Sequence, residues 1–208
     1  MEQKHLKCLI FDFDGTLADT YHIIFELMEN ALKSRGINMS KNTDKLRGLG
    51  IRQLLKKYNI SLIDLIFFAR GYRKHLSNRI KEVKTFPGLR GVLKKLGERY
   101  DLGIVTSNSK ENVEGFLRVN KLQNVFDFIE TGSSVLGKNV RLSRTIRKHG
   151  YGKSEVVYVG DEVRDIEAAK KAGVRVAAVT WGYNSKSGLE KFKPDYLVTK
   201  PEQLLKNF

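Results

Sequence analysis

An apolar run, Cys8-Leu9-Ile10-Phe11, stops in Asp12-Phe13-Asp14-Gly15-Thr16. The run reads as a buried strand, and its end carries two carboxylates one residue apart. Successive side chains on a strand point to opposite faces. Asp12 and Asp14 therefore reach the same side only at or beyond the strand end. Isolated carboxylates are expensive to bury, so the pair calls for a cation or an open cleft.

After Asp19 the hydrophobic period changes. Tyr21, Ile24, Leu27, Met28, Ala31 and Leu32 recur at helical spacing, with Asp19 or Thr20 placed to cap the helix and Gly36 to stop it. A second helical stretch carries Leu46, Leu49, Leu54, Leu55 and Tyr58. A third carries Leu62, Leu65, Ile66, Ala69, Tyr72, Leu76 and Ile80 on one face. Phe86-Pro87-Gly88 ends this block. Strands and helices then alternate: strands over 100–106, 126–130, 155–160, 175–180 and 196–198, and helices over 89–96, 110–119, 138–149 and 165–172, with a last helix at the C-terminus. Alternation of this kind implies an α/β fold, a doubly wound parallel, Rossmann-like sheet. The chain divides into an α/β core, residues 1–16 and 85–208, and an all-helical domain, residues 17–84, inserted after the first strand.

Ligands of such sheets sit at the carboxyl ends of the strands. The polar motifs fall at those ends: Asp12 and Asp14, then Thr106, then Asp161. Asp165 follows Asp161 by about one helical turn, so up to four carboxylates converge on one cleft. Like charges that close do not all stay ionised without a cation. Hard oxygen donors, with no His or Cys at metal-ligand spacing, indicate Mg²⁺ and not Zn²⁺. The single cysteine, Cys8, lies within the first apolar run and reads as a buried thiol.

With 208 residues, 41% of them hydrophobic, the chain can build one core and a small inserted domain. It carries 38 basic and 23 acidic residues, a net charge of +15. The excess is concentrated. Residues 41–84 hold twelve Lys or Arg and three Asp or Glu, and residues 138–153 hold six basic residues and no acidic one. A basic surface attracts anions, either phosphate substrates or nucleic acid. Arg141, Arg144 and Lys148 fall on one helical face, as a phosphate-tracking surface would require. No segment has the length of a signal peptide's apolar region or of a membrane span, and the expected location is cytoplasmic. Monomer and dimer are both compatible with the sequence.

The four motifs resemble those of the haloacid dehalogenase superfamily. The first is Asp-x-Asp-x-Thr after a hydrophobic strand, here Asp12 to Thr16. The second is a strand ending in Thr, here Val105-Thr106. The third is a lone Lys, matched by Lys138, with Lys110 as a competing assignment. The fourth is Gly-Asp-x-x-x-Asp, here Gly160 to Asp165. The continuation Ile166 to Val174, and Thr180-Trp181-Gly182-Tyr183, are similar to the subgroup containing phosphoglycolate phosphatase, whose small helical cap is inserted at the same place. Lys138 departs from that subgroup in being followed by Asn139 and not Pro, and Glu162 replaces a small hydroxyl residue.

This resemblance implies a Mg²⁺-dependent phosphatase acting on a small anionic phosphoester. Asp12 would be the nucleophile and Asp14 the general acid and base. Asp12, Asp161 and the Asp14 carbonyl would bind the metal, with Asp165 or Glu162 acting through water. Thr106 and the amides of Ser107 and Asn108 would hold phosphoryl oxygens, and Lys138 would neutralise charge. Arg47, in Arg47-Gly48-Leu49-Gly50, is the candidate contact to the leaving group. Asp14 argues against the dehalogenase branch, since a leaving halide needs no proton. A phosphonatase would need a Schiff-base lysine from the helical segment, and none is identifiable there. The alternative from a different class is a catalytically silent protein of this fold that binds nucleic acid or another polyanion.

Overall fold

The computed structural model describes residues 6–37, 56–132 and 137–208. Six strands form one sheet: β1 (Cys8–Phe11), β2 (Asp101–Thr106), β3 (Phe128–Thr131), β4 (Val156–Gly160), β5 (Arg175–Val179) and β6 (Tyr196–Val198). Their order is β3-β2-β1-β4-β5-β6, and every neighbouring pair is parallel. The winding direction reverses at the junction of β1 with β4. In open parallel sheets that reversal leaves a crevice beyond the carboxyl ends of the two strands. Asp12 and Asp161 are the first residues past those ends.

Both faces of the sheet are covered, which is why its strands read as near-continuous apolar runs. Leu9, Phe11, Ile104 and Val159 pack with helices α3 (Leu89–Gly97) and α4 (Lys110–Val119) on one side. Cys8, Ile10, Val105 and Tyr158 pack with α5 (Lys138–Lys148) and α6 (Val163–Ala172) on the other. The β1 side chains are fully buried, and Leu9, Ile10 and Phe11 each stabilise the fold by about 1.5–3 kcal/mol. Burial also pushes the Cys8 thiol up to about 12, an inert core thiol. Gly173, at φ +75°, closes α6 in the left-handed conformation. Two short helices, α7 (Lys186–Glu190) and α8 (Glu202–Asn207), complete the core.

The chain leaves and re-enters this core at one point. Ala18 bridges both Asp14 and Thr85, and the Asp19 N–H donates to the Lys84 carbonyl at 3.0 Å. Between these crossings, the described residues form α1 (Tyr21–Lys33), α2 (Leu62–Arg79) and a 3₁₀ turn (Ile80–Glu82), with no sheet strand. The helical stretch expected around Leu46 to Leu55 lies outside the described residues, as does Arg47. Helix α2 starts in a capping box, with Ser61 Oγ accepting from the Asp64 N–H at 3.1 Å and Asp64 accepting from the Ser61 N–H at 3.0 Å.

Three readings need adjustment. The stripe on α2 is not buried along its length: Tyr72 and Leu76 are 6% and 0% exposed, whereas Ile66 is 59% exposed. Tyr72 and Leu76, in the second half of α2, join the core. Strand β3 begins two residues later than expected, because Asp127 is occupied pairing its backbone and side chain with the Leu102 backbone at 2.8 Å. Thr20 occupies the cap position of α1, but its hydroxyl makes no capping bond and is directed elsewhere.

Candidate active site

The carboxyl ends of β1 and β4 bring Asp12, Asp161 and Asp165 together. Each offers a carboxylate oxygen, these oxygens lie within 4.8 Å of one another, and all three residues are buried. Asp165 reaches the group because Val163–Ala172 starts immediately after β4. Its Oδ2 accepts from the Glu162 N–H at 2.9 Å, which fixes the first turn of α6 against the cluster. Asp161 is held from both sides. Thr16 Oγ1 donates to its Oδ1 at 2.7 Å, and the Tyr183 N–H donates to its Oδ2 at 2.7 Å.

Space around Asp161 exists because two residues lack side chains. A Cβ on Gly15 would lie 2.3 Å from Asp161 Oδ2, and one on Gly182 would lie 2.2 Å from the same atom. Gly15 also sits at φ +75°, which other residues rarely adopt. The glycines let two backbone segments close on the carboxylate.

One cation enters this cluster from the protein. Lys138, the first residue of α5, is buried and donates to Asp12 Oδ2 at 2.6 Å and to Asp165 Oδ1. Its ammonium lies 5.7 Å from the centre of the Tyr158 ring, which floors the site. Burial alone would lower Lys138, but Asp12 and Asp165 outweigh it and hold the ammonium well above its usual range. Burial pushes Asp12 up, against the pull of Lys138 and with the push of Asp165. Asp161 is also raised, by burial and then by Glu162, Asp165 and Asp12, and it has no cationic partner among the described residues.

Three carboxylates and one ammonium leave two negative charges in a buried site. That deficit, and a donor set of hard oxygens only, fit a divalent cation. Glu162 does not join the set, because Arg164 grips its Oε1 through both Nε and Nη2. Of the two residues expected near the metal after Asp161, the structure therefore brings Asp165 to the cluster and turns Glu162 away. Lys110, the competing lysine, is on the surface and pairs with Glu114 at 3.6 Å.

Asp14 occupies a different environment two residues on. It is ringed by neutral donors: Tyr72 Oη at 2.6 Å, Asn108 Nδ2 at 2.9 Å and Thr20 Oγ1 at 3.2 Å. Tyr183 Oη lies 2.7 Å from Thr20 Oγ1. Either hydroxyl can donate in that pair. Burial pushes the Tyr72 and Tyr183 phenols well up, so both remain donors. Burial also raises Asp14, and the three donors offset this in part.

Thr106 ends β2 beside Asp12. Its Oγ1 accepts from the Asn108 N–H at 3.0 Å, so its proton stays available for a ligand oxygen. The same bond occupies the Asn108 amide, which sequence reasoning assigned to the ligand. The Asn108 side chain serves Asp14 instead. Ser107 is half-buried, and its carbonyl accepts from Arg73 Nη1 at 3.3 Å.

Sequence reasoning missed Tyr72, Thr20 and Tyr183 as site residues. Thr20 was visible as a hydroxyl six residues after Asp14, but a cap explained it equally well. The basic face on α5 is largely committed within the molecule. Arg141 Nη1 donates to the Thr106 carbonyl at 2.9 Å, and Lys148 pairs with Glu130 at 2.6 Å.

The chain is similar to known proteins. The sequence pattern of haloacid dehalogenase-like hydrolases matches residues 9–179. A phosphoglycolate phosphatase from Synechococcus elongatus is 32% identical over 203 residues, spanning 96% of each chain. The pyrophosphatase PpaX from Bacillus cereus is 30% identical over 209 residues, 96% of this chain and 95% of that one. Among solved structures, a haloacid dehalogenase-like family hydrolase from Streptococcus pneumoniae superposes with a TM-score of 0.82 at 22% identity, over 99% of this chain and 100% of that one. A predicted phosphatase from Clostridium acetobutylicum gives 0.83 at 21% identity, over 97% of both. Among the described residues, no helix is long and apolar enough to cross a membrane.

Proposed function

The chain belongs to the haloacid dehalogenase-like hydrolase family, and on that footing we propose that it is a Mg²⁺-dependent phosphatase of small phosphate monoesters, working through an aspartyl-phosphate on Asp12. The observation that carries this reading is the unlike treatment of two neighbouring carboxylates. Asp12 is held by Lys138 in the charged cluster, and Asp14 is held by neutral donors beside it. Residues 17–84, which leave and re-enter the core at Ala18 and Thr85, would form the cap over this cleft.

In the first half-reaction an Asp12 carboxylate oxygen attacks phosphorus. The bond from phosphorus to the leaving oxygen breaks, and that oxygen takes the proton from Asp14. A carboxyl raised by burial is suited to carrying this proton. In the second half-reaction Asp14, now ionised, takes a proton from water. The water oxygen attacks phosphorus, and Asp12 leaves as a carboxylate. Lys138 screens Asp12 from the phosphate dianion and favours charge on the transferring group. The Thr106 hydroxyl and the Ser107 N–H would hold equatorial oxygens. A divalent cation bound by Asp12, Asp161 and Asp165, with the Asp14 carbonyl, would supply electrostatic stabilisation of the phosphoryl charge.

The test is phosphate release from p-nitrophenyl phosphate and a panel of small phosphoesters that includes phosphoglycolate and pyrophosphate, with Mg²⁺ or with a chelator. Turnover should need the metal, and Asp12→Asn should lower kcat by at least about 10⁴-fold. Metal-independent turnover, or an active Asp12→Asn protein, would refute the mechanism.

A further inference from the structure

Resting on the phosphatase reading, we infer that Arg73 determines specificity by binding an anionic group, a carboxylate or second phosphoryl group, on the leaving part of the substrate. One turn of α2 is fastened to the site. Tyr72 donates to Asp14. Asn112 Nδ2 donates to the Arg73 carbonyl at 2.9 Å and also lies 2.9 Å from Asn108 Oδ1. Asn108 in turn donates to Asp14. The Arg73 backbone is thus tied, through two asparagines, to the carboxyl that serves the leaving oxygen.

The Arg73 side chain is unfinished. Its guanidinium has five N–H donors, and Nη1 makes a long bond of 3.3 Å to the Ser107 carbonyl. No carboxylate pairs with it among the described residues. Two other arginines of this helical segment are paired, Arg35 with Asp64 and Arg79 with Glu26 and Glu82, whereas Arg70, which also lacks a carboxylate among the described residues, is exposed while Arg73 is half-buried against Ser107. Arg164, close to the carboxylate cluster, is paired with Glu162. Arg141 also lacks a carboxylate, but it comes from the opposite side of the sheet and is packed into a brace. It donates to the Thr106 carbonyl, and a Cβ on Gly132 would lie 2.7 Å from its Nη2.

Position then selects the ligand. The phosphoryl group being transferred lies over Asp12 and Thr106, and its leaving oxygen must face Asp14. Whatever that oxygen carries extends beneath the α2 turn that supplies Tyr72 and Arg73. A half-buried guanidinium with spare donors there meets a carboxylate or phosphate with a two-pronged, charge-assisted contact. A neutral leaving group gains nothing from it.

The experiment compares the whole protein with Arg73→Gln and Arg73→Lys on phosphoglycolate, pyrophosphate and phenyl phosphate, in Mg²⁺. Arg73→Gln should lower kcat/KM by about 10- to 100-fold on at least one of the first two, chiefly through KM, and by no more than about 2-fold on phenyl phosphate. Arg73→Lys should restore part of the loss. Loss on phosphoglycolate alone identifies a carboxylate, loss on pyrophosphate alone a second phosphoryl group. Equal losses on all three compounds, or no loss on any, overturn the inference while leaving the phosphatase reading intact. If the wild-type protein hydrolyses none of them, the phosphatase reading fails. Equilibrium binding of phosphoglycolate and pyrophosphate then decides the inference, with Arg73-dependent affinity upholding it and Arg73-independent or absent binding overturning it.

Discussion

Asp12 and Asp14 are the same residue type, two positions apart on one strand end, and the molecule treats them oppositely. The region around Asp12 is built from the sheet core and is ionic, with two further carboxylates and a buried ammonium. The region around Asp14 is built partly from α2 and is neutral, with a phenol, an amide and a hydroxyl. Burial raises both carboxyls, and for Asp12 the adjacent Lys138 ammonium opposes that rise, as a bound cation would further. A neutral, dry surround raises a carboxyl until it can carry a proton. In the proposed mechanism the division of labour would be set by what each side chain touches, since the covalent chemistry of the two is identical.

The ionic half is the easier to break. Lys138→Met keeps the stem volume and removes the charge. It should lower kcat by about 10³-fold, the cost of losing a strong electrostatic contact to the transferring group. It should also destabilise the metal-free protein by about 3–5 kcal/mol, because Asp12 and Asp165 would lose their buried partner. Added Mg²⁺ should raise the Tm of this variant more than that of the wild type, since the cation then offsets a larger charge imbalance. Denaturant melts and steady-state kinetics check both. A variant with near-normal turnover would show that Lys138 braces the cluster without serving the reaction.

The neutral half should break differently. Asn108→Ala removes the amide from Asp14 and also the link through Asn112 to α2. It should lower kcat by about 10²-fold. The loss should be larger for an alkyl phosphate than for p-nitrophenyl phosphate, because only a basic leaving oxygen needs the proton from Asp14. Equal losses on the two esters would mean that Asn108 positions phosphate and has no bearing on proton transfer. The two regions therefore predict different signatures: Lys138 acts whatever the leaving group, and Asn108 acts through it.

The same contrast explains what could be read from the chain. Asp12, Thr106 and Asp161 were legible because each directly ends, or immediately follows, a strong apolar strand, and parallel topology then forces them to one edge. Asp165 followed from its helical turn, and Lys138 from the family pattern. The neutral region was illegible for a physical reason. Tyr72 satisfies the apolar period of α2, so its hydroxyl gives no periodic signal. Thr20 satisfies a helix cap, and Asn108 looked like an amide donor. Each partner of Asp14 had a sufficient local explanation, and only tertiary contact reveals the shared one. The fold core carries redundant signals, whereas a hydrogen-bond network assembled from three separate segments carries none in sequence.

Tyr72→Phe gives the sharpest test of the comparison, with the smallest effect. The substitution keeps the ring and its burial, and deletes one donor to Asp14 at 2.6 Å. Asn108 and Thr20 remain, so Asp14 is neither displaced nor left unpaired. A hydrogen bond to a charged group contributes about 1.5–3 kcal/mol, and partial replacement by the remaining donors puts the expected loss in kcat near 10-fold. As with Asn108→Ala, the loss should grow with the basicity of the leaving oxygen, while stability changes by no more than about 1 kcal/mol. Tyr72 belongs to the inserted helical segment, as does Thr20, whereas Asn108, Thr106 and Lys138 come from the sheet core. A leaving-group-dependent loss would therefore mean that the helical segment takes part in proton transfer. A uniform loss, or none, would confine the chemistry to the core and leave α2 as a binding surface.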